Sequence, residues 1–206
     1  MDMKEAQTSQ AKTMVVDDLQ ENRKAARKKR SPFSIIFEVL LYVAIIVFCI
    51  FVVPTYILQR TVVDGNSMQD TLQNGDSLLV NKFIYRIHDP ERYDIIVFPY
   101  QYEDNTYFIK RIIGLPGETV QIVDGIIYID GEALQESYGR EVMKNSGLAA
   151  DPVTLGEDEY FVLGDNRNDS TDSRDPSVGK IPRDRIIGRA WVRIWPLSKI
   201  GILRHQ

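Results

Sequence analysis

A continuous apolar segment near the N-terminus constrains this chain more than any other feature of its sequence. Over residues 35–53 the only charged side chain is Glu38, which falls in the first turn if the segment is helical. Nineteen residues of α-helix rise about 28 Å, close to the hydrocarbon thickness of a bilayer. A cleavable signal peptide has a shorter apolar core and small residues at its cleavage site, whereas this segment ends in P-T-Y. The sequence therefore predicts an uncleaved transmembrane anchor over residues 33–57, and the alternative is a buried helix of a soluble domain.

The charges that flank this segment predict its orientation. Residues 23–30, R-K-A-A-R-K-K-R, carry six basic side chains shortly before the anchor. Because short loops rich in lysine and arginine stay in the cytoplasm, we expect the N-terminus inside the cell and residues 58–206 outside it. Residues 1–32 form a basic cytoplasmic tail in this interpretation, and their polar composition predicts that it is largely disordered.

The composition argues against several classes of function. The 206 residues include 25 basic and 29 acidic side chains, a formal charge of −4, which gives no indication of nucleic acid binding. The single cysteine, Cys49, lies within the apolar segment, so we expect neither a disulfide framework nor a cysteine-based zinc site. The only histidines are His88 and His205, and we predict neither a metal centre nor a cofactor.

Short β-rich runs separated by turn signals follow the anchor. Asp124-Gly125, between V-Q-I-V and I-I-Y-I, is a strong signal for a two-residue hairpin. Residues 132–156, rich in Glu, Gly and Ala, have the weakest pattern and are expected to form an excursion or flap. The sequence therefore predicts a mostly β, antiparallel domain over residues 58–206, preceded by one transmembrane helix. The predicted strands are Ser77–Lys82, Asp94–Phe98, Thr106–Ile113, Thr119–Val123, Ile126–Ile129, Tyr160–Leu163 and Ile186–Ile194.

Lys110 occupies an unusual position in one of these strands, Y-F-I-K-R-I-I. Strand alternation places Phe108, Lys110 and Ile112 on one face, where apolar neighbours lower the pKa of the lysine by excluding water. A lysine that is neutral near pH 7 can act as a general base, a task for which the chain offers few histidines. The alternative, and the commoner fate of such a residue, is a packed stem whose ammonium group reaches water.

Two further segments offer partners for this lysine. Ser67, in G-N-S-M-Q-D-T-L, carries a hydroxyl that needs an adjacent base to become a nucleophile. Residues 164–174, G-D-N-R-N-D-S-T-D-S-R, are densely polar. In that stretch Ser170 can hold the lysine amine in position, and Asp172 can pair with Arg174 to brace the site. Each segment alone is typical of an exposed turn or loop, but together they predict a serine–lysine hydrolase.

These motifs together resemble bacterial type I signal peptidases, including their Gram-positive forms. The resemblance covers residues 33–195 and includes S-M-x-x-T-L, G-D-x-L-L-V-N-K, R-Y-D-I-I-V-F and Y-F-I-K-R-I-I-G-L-P-G-E, followed by the polar stretch. It implies a membrane-bound serine endopeptidase that removes signal peptides from exported preproteins, with Ser67 as nucleophile and Lys110 as general base. The Ser67 backbone N–H would contribute to the oxyanion hole. The resemblance also implies structural roles for Asp165, Ser170, Asp172 and Arg174, and a substrate pocket formed by Val63, Met68, Leu72, Phe108 and Ile109.

Two positions depart from the family pattern. Asp70 stands where relatives usually have proline, which loosens the turn after the nucleophile and adds a charge beside it. Gly65 stands where some relatives carry a hydroxyl residue that adds an oxyanion donor. Two other functions stay open: an inactive membrane-tethered binding domain, which Asp70 favours, and a self-cleaving serine–lysine protease, which the anchor disfavours.

Overall fold

The computed structural model describes residues 31–139 and 141–204, and its first element is an apolar helix. Helix α1, Pro32–Val47, continues as a π-helical segment, Phe48–Ile57, so that the two form one apolar helix of 26 residues with a mean hydropathy of 3.0. None of its most apolar stretch is buried, whereas a core helix of a soluble domain would be mostly buried. By length and composition this helix can cross a membrane. The predicted basic tail lies almost entirely outside the described residues.

The chain beyond the apolar helix forms two antiparallel sheets. The first has the strand order β1-β2-β11-β3-β4-β9-β10, with β12 paired to β11, and the second has the order β7-β6-β5-β8. The strands are β1 Leu58–Val62, β2 Ser77–Asn81, β3 Ile95–Pro99, β4 Tyr107–Gly114, β5 Thr119–Val123, β6 Ile126–Ile129, β7 Glu132–Ala133, β8 Val153–Thr154, β9 Glu159–Leu163, β10 Ile181–Pro182, β11 Gly188–Trp195 and β12 Gly201–Ile202. Short 3₁₀ turns occur at Ile84–Arg86, Gly147–Ala150, Arg183–Arg185 and Leu197–Lys199.

The predicted fold class, mostly antiparallel β behind one apolar helix, is confirmed. Strands β5 and β6 begin and end where the sequence predicts, and the other five predicted strands differ by one or two residues at one or both ends. Strand β1, L-Q-R-T-V, was not predicted because it is an edge strand without a regular apolar alternation. The four remaining unpredicted strands have two residues each, too short for a periodic signal.

Strand β4 is buried on both faces, not on one. Phe108 and Ile112 pack against one hydrophobic cluster, whereas Ile109 and Ile113 pack into two others. Arg111, between them, is completely buried. The second sheet and the polar stretch 164–174 cover the face that the alternation pattern alone would leave open to water.

One row of paired residues crosses five strands of the first sheet. Leu58 lies opposite Asn81, Asn81 opposite Arg189, Arg189 opposite Ile96, and Ile96 opposite Lys110. Neighbouring strands lie about 4.8 Å apart, so these four steps place Lys110 about 19 Å from Leu58. Because Leu58 directly follows the apolar helix, sheet register fixes the distance between the end of that helix and Lys110.

Residues 132–156 leave the second sheet and pack back onto it. Met143, Ala149 and Leu155 are buried in the hydrophobic cluster that also contains Ile113. The ring of Tyr138 lies 3.5 Å from the guanidinium carbon of Arg111. This excursion is therefore packed against the core at several points, and its role as a flap stays a prediction.

The turn after Ser67 contains a residue with left-handed backbone geometry. Asp70 has a φ of +86°, and hydrogen bonds from Thr71 and Leu72 to the carbonyl oxygen of Met68 close the turn around it. Proline holds φ near −65°. A proline at this position therefore requires a different backbone path.

We expect the stability of three variants of the detergent-solubilised protein, measured by thermal unfolding, to decrease in the order Asp70→Gly, Asp70→Ala, Asp70→Pro. All three remove the carboxylate, so the comparison isolates backbone conformation. The free energy of unfolding of the glycine variant should exceed that of the alanine variant by about 1 kcal/mol, since only glycine adopts positive φ without strain. The free energy of unfolding of the proline variant should be lower than that of the alanine variant by about 3 kcal/mol or more. A proline variant as stable as the alanine variant would contradict the positive φ.

Candidate active site

Ser67 and Lys110 meet although 43 residues separate them in the sequence. Lys110 Nζ donates a hydrogen bond to Ser67 Oγ at 2.8 Å and a second one to the Ile109 carbonyl oxygen at 3.2 Å. Ser67 lies in the turn that follows β1, and Lys110 projects from the middle of β4. This distance is within the range in which a base can take a proton from a hydroxyl nucleophile.

Burial lowers the pKa of Lys110 to about 8, from 10.5 for a free side chain. Only 4% of the residue is exposed, and the Phe108 ring centre lies 4.8 Å from the amine. Loss of water disfavours the charged ammonium, and this effect outweighs the opposing attraction of Asp172 and Asp165. A substantial fraction of the amine is therefore neutral in mildly alkaline solution.

Two buried arginine–aspartate pairs flank the lysine. Arg111 donates to both carboxylate oxygens of Asp165 at 2.8 and 2.7 Å, and Arg174 donates to both of Asp172 at 2.8 Å. Each carboxylate is fully buried. Because the arginines satisfy these charges, neither aspartate forms an ion pair with Lys110. The Asp172–Arg174 pair is the one that the sequence suggested.

Arg111 was not among the predicted site residues. It is held by the carbonyl oxygen of Tyr93 at 2.9 Å, by Asp165 and by the stacked ring of Tyr138. The sequence contained one usable signal, since an arginine next to a buried lysine in a central strand points to the opposite face. If that face is also buried, the arginine needs a carboxylate partner.

Most of the polar stretch 164–174 packs against the turn that holds Ser67, and within it only Asn168, Asp169 and Thr171 are exposed. The Asn166 N–H donates to the Ser67 carbonyl oxygen at 3.0 Å, and its side-chain amide donates to the Asn66 carbonyl oxygen at 3.2 Å. A Cβ atom on Gly164 would lie 2.4 Å from the Ser67 carbonyl oxygen and 2.2 Å from Ser170 Oγ. Only glycine therefore allows this stretch to approach Ser67 so closely. Asn166 was also not among the predicted residues.

Ser170 lies beside the lysine without a hydrogen bond to it. Its Oγ atom is buried and makes no hydrogen bond within the described residues. Ser170 lines the same cavity as Lys110. Its suggested part in orienting the amine stays a prediction.

A cavity of about 290 Å³ opens over the Ser67–Lys110 pair. Four of the five predicted pocket residues line it, namely Val63, Met68, Phe108 and Ile109. Leu72 does not line it, because its side chain is fully buried in the hydrophobic cluster behind Val63 and Met68. The lining also includes the carboxylate residues Asp64 and Asp169. The cavity thus combines apolar walls with the Ser67 hydroxyl and the Lys110 amine.

Comparison with known proteins identifies the family to which this arrangement belongs. Residues 36–195 match the family model of signal peptidase, peptidase S26. A probable signal peptidase I-2 of Synechocystis sp. is 39% identical over 158 residues, which cover 73% of this chain and 69% of that protein. Signal peptidase I P of Bacillus subtilis subsp. natto is 34% identical over 180 residues, which cover 84% of this chain and 96% of that protein.

A solved structure is also similar to this chain. It is the crystal structure of a signal peptidase I from Enterococcus faecalis V583, whose sequence is 37% identical to this one. The match covers 50% of this chain and 97% of that chain, with a TM-score of 0.43. The family match extends over most of the chain, and the relatives align over most of their own length. The chain therefore belongs to the signal peptidase family, peptidase S26, and is an enzyme of the signal peptidase I type.

Proposed function

We propose that this protein is a membrane-anchored endopeptidase that cleaves signal peptides from exported preproteins, with Ser67 as nucleophile and Lys110 as general base. The observation that carries the proposal is the 2.8 Å hydrogen bond between the buried Lys110 amine and Ser67 Oγ. Proton transfer from Ser67 to Lys110 requires a neutral amine, and the lowered pKa of Lys110 makes the neutral amine more accessible. The names of the relatives indicate the same substrate class.

The reaction proceeds in two half-reactions, acylation of Ser67 by the substrate and hydrolysis of the resulting ester. Neutral Lys110 takes the Ser67 hydroxyl proton while Oγ forms a bond to the scissile carbonyl carbon. The resulting ammonium gives that proton to the leaving amine as the C–N bond breaks. A water molecule then attacks the ester, Lys110 accepts its proton, and the C–O bond to Ser67 breaks with return of a proton to Oγ. Each half-reaction returns the lysine to its neutral state.

In this proposal the Ser67 backbone N–H would donate a hydrogen bond to the developing oxyanion. No backbone carbonyl of the described residues accepts a hydrogen bond from it. Asn166 fixes the orientation of the peptide unit that follows Ser67 through its bond to the Ser67 carbonyl oxygen. Gly65 has no side chain that could add a second donor, so that donor would come from water or from the backbone.

The position of the site suits a substrate that emerges from a bilayer. Lys110 lies about 19 Å across the sheet from the end of the apolar helix, as the register dictates. We propose that the basic tail stays in the cytoplasm and that the β-domain lies outside, where the cleavage site of a translocated signal peptide would be within reach. The apolar wall formed by Val63, Met68, Phe108 and Ile109 would accept the residues before that cleavage site.

We expect the Ser67→Ala and Lys110→Ala variants to lose at least about a thousand-fold in preprotein cleavage by the detergent-solubilised protein. Ser67→Ala removes the attacking oxygen, and Lys110→Ala removes the base. Lys180→Ala is the matched control, since this half-exposed lysine pairs with Glu159 at the surface. Normal cleavage by either site variant would refute the serine–lysine assignment.

The pH dependence of kcat/KM should follow the titration of Lys110. The neutral amine is the active form, so the rate should rise about tenfold per pH unit below pH 8 and level off above it. Asp172→Asn should move this profile to lower pH, because Asp172 raises the pKa of Lys110 and its removal also leaves the positive charge of Arg174 uncompensated.

Asp158 is exposed, so Asp158→Asn is the matched control and should leave the pH profile of kcat/KM unchanged. A purely structural role for Asp172 predicts a lower rate with an unchanged profile. That result would contradict the electrostatic effect of Asp172 on Lys110.

Gly164→Ala should abolish peptide cleavage while Gly201→Ala should not. A Cβ atom at residue 164 forces Ser67 and Ser170 apart, whereas a Cβ atom at residue 201 meets nothing within 4 Å. The loss should appear mainly in kcat, because the displaced atoms belong to the nucleophile and its neighbour. Measurement of kcat and KM with a soluble signal-peptide substrate tests this, and full activity of Gly164→Ala would contradict the close approach.

A further inference from the structure

The turn that carries Ser67 is held at both of its ends. At one end the Asn166 N–H donates to the Ser67 carbonyl oxygen at 3.0 Å. At the other end the Thr71 hydroxyl donates to Asp165 Oδ2 at 2.5 Å. Between these two points the Thr71 N–H donates to the Met68 carbonyl oxygen at 3.1 Å and closes the turn. Two consecutive residues of the polar stretch, Asp165 and Asn166, therefore fix the turn at its two ends.

The Thr71 hydroxyl belongs to the buried ion pair beside the site. Arg111 donates to both carboxylate oxygens of Asp165, and its Nη2 atom also donates to Thr71 Oγ1 at 3.5 Å. Arg111 and Asp165 are fully buried, and Thr71 is partly buried against them. A hydroxyl can accept one hydrogen bond while it donates another, which no alkyl side chain can do. Thr71 thus joins the Ser67 turn to a charge pair whose own position is fixed.

These contacts form a closed ring around the site. Ser67 is bonded to Lys110, the next residue in β4 is Arg111, Arg111 binds Asp165, and Asp165 binds Thr71, four residues after Ser67. Successive side chains of a strand point to opposite faces, so the turn meets β4 through side chains from both faces. Contact on one face alone would let the turn tilt about β4. Contact on both faces fixes Ser67 Oγ relative to the Lys110 amine.

A second side chain holds the backbone at Thr71. Arg193, in β11, donates to the Thr71 carbonyl oxygen, and its Nε atom lies 3.1 Å from Asp76 Oδ2. Thr71 directly follows Asp70, whose positive φ is unfavourable for a residue with a side chain. Because both the hydroxyl and the carbonyl group of Thr71 are held, the turn keeps this backbone conformation.

We propose that Thr71 is a positioning residue for the serine–lysine pair, whose hydroxyl ties the Ser67 turn to the Arg111–Asp165 pair and so keeps Ser67 Oγ within reach of the Lys110 amine. Thr71 lies outside the lining of the cavity, so it acts through Ser67 and not on the substrate. A misplacement of about 1 Å at the reacting atoms can lower a rate about a hundredfold. This inference rests on the proposed function, since it concerns the same pair of residues.

Three substitutions at residue 71 separate the hydroxyl from the methyl group. Thr71→Ser keeps the hydroxyl, Thr71→Val replaces it with a methyl group, and Thr71→Ala removes both. In detergent, with a soluble signal-peptide substrate, the valine and alanine variants should lose at least about tenfold in kcat and keep KM within about twofold of the wild type. Thr71→Ser should keep kcat close to the wild-type value. Thr154→Val is the matched control, since it removes an exposed hydroxyl that bonds to Thr119 in the second sheet.

Three results of this comparison would overturn the inference. If Thr71→Ala has the kcat of Thr71→Ser, the hydroxyl does not position Ser67. A change confined to KM would place the effect on substrate binding. If the alanine and valine variants are unfolded at the assay temperature in a thermal unfolding experiment, while Thr71→Ser is folded, the hydroxyl serves stability alone.

Alkylation at residue 67 gives a reading that does not depend on peptide cleavage. In a Cys49→Ser, Ser67→Cys background, the thiol beside Lys110 should lose its proton readily and react with iodoacetamide near pH 7. Adding Thr71→Ala should slow this alkylation at least about threefold relative to adding Thr71→Ser, because the thiol moves away from the amine. Equal rates would overturn the inference. If the wild type cleaves no signal peptide, the proposed function fails, but the alkylation rates still decide the role of Thr71.

Discussion

The site depends on two carboxylates that are buried close to a lysine without pairing with it. An aspartate in contact with the ammonium of Lys110 would stabilise its charge and raise its pKa, which would keep the amine charged near neutral pH. Arg111 and Arg174 prevent this, since each binds both oxygens of one aspartate. Burial then determines the protonation of the amine, and the pKa of Lys110 falls to about 8.

The same pairs also hold the backbone of the site. Asp172 accepts a hydrogen bond from the Gly164 N–H at 3.0 Å, and Arg174 donates to the carbonyl oxygen of Arg167 at 2.6 Å. These hydrogen bonds join the two ends of the polar stretch and hold it in contact with Ser67. Removing one member of such a pair leaves a buried charge uncompensated, at a cost of about 3–5 kcal/mol. Electrostatic tuning and mechanical support therefore come from the same side chains.

Much of the fold and the central pair of the site could be predicted from the sequence, because the relevant signals are local. Alternation in Y-F-I-K-R-I-I placed Lys110 beside Phe108, and the Asp124-Gly125 turn located a hairpin at its observed position. Arg111 and Asn166 were missed because their roles depend on what covers the second face of β4 and on how the polar stretch folds back. Leu72 was assigned to the pocket by resemblance, but its place behind Met68 is a matter of packing that no local pattern encodes.

The relation between the apolar helix and the lysine depends on sheet register more than on any loop. A slip of one residue in any of the four pairings from Leu58 to Lys110 would turn a strand over and move its side chains to the other face. The irregularities that do occur in the sheet lie beyond this row, since the register of β11 shifts after Ala190 and again after Arg193, and the β4–β9 pairing shifts after Ile112. Strand β1 has no regular apolar alternation, yet its regular pairing with β2 helps to set the distance from the apolar helix to Lys110. An edge strand with little periodic signal thus links the apolar helix to the Ser67–Lys110 pair.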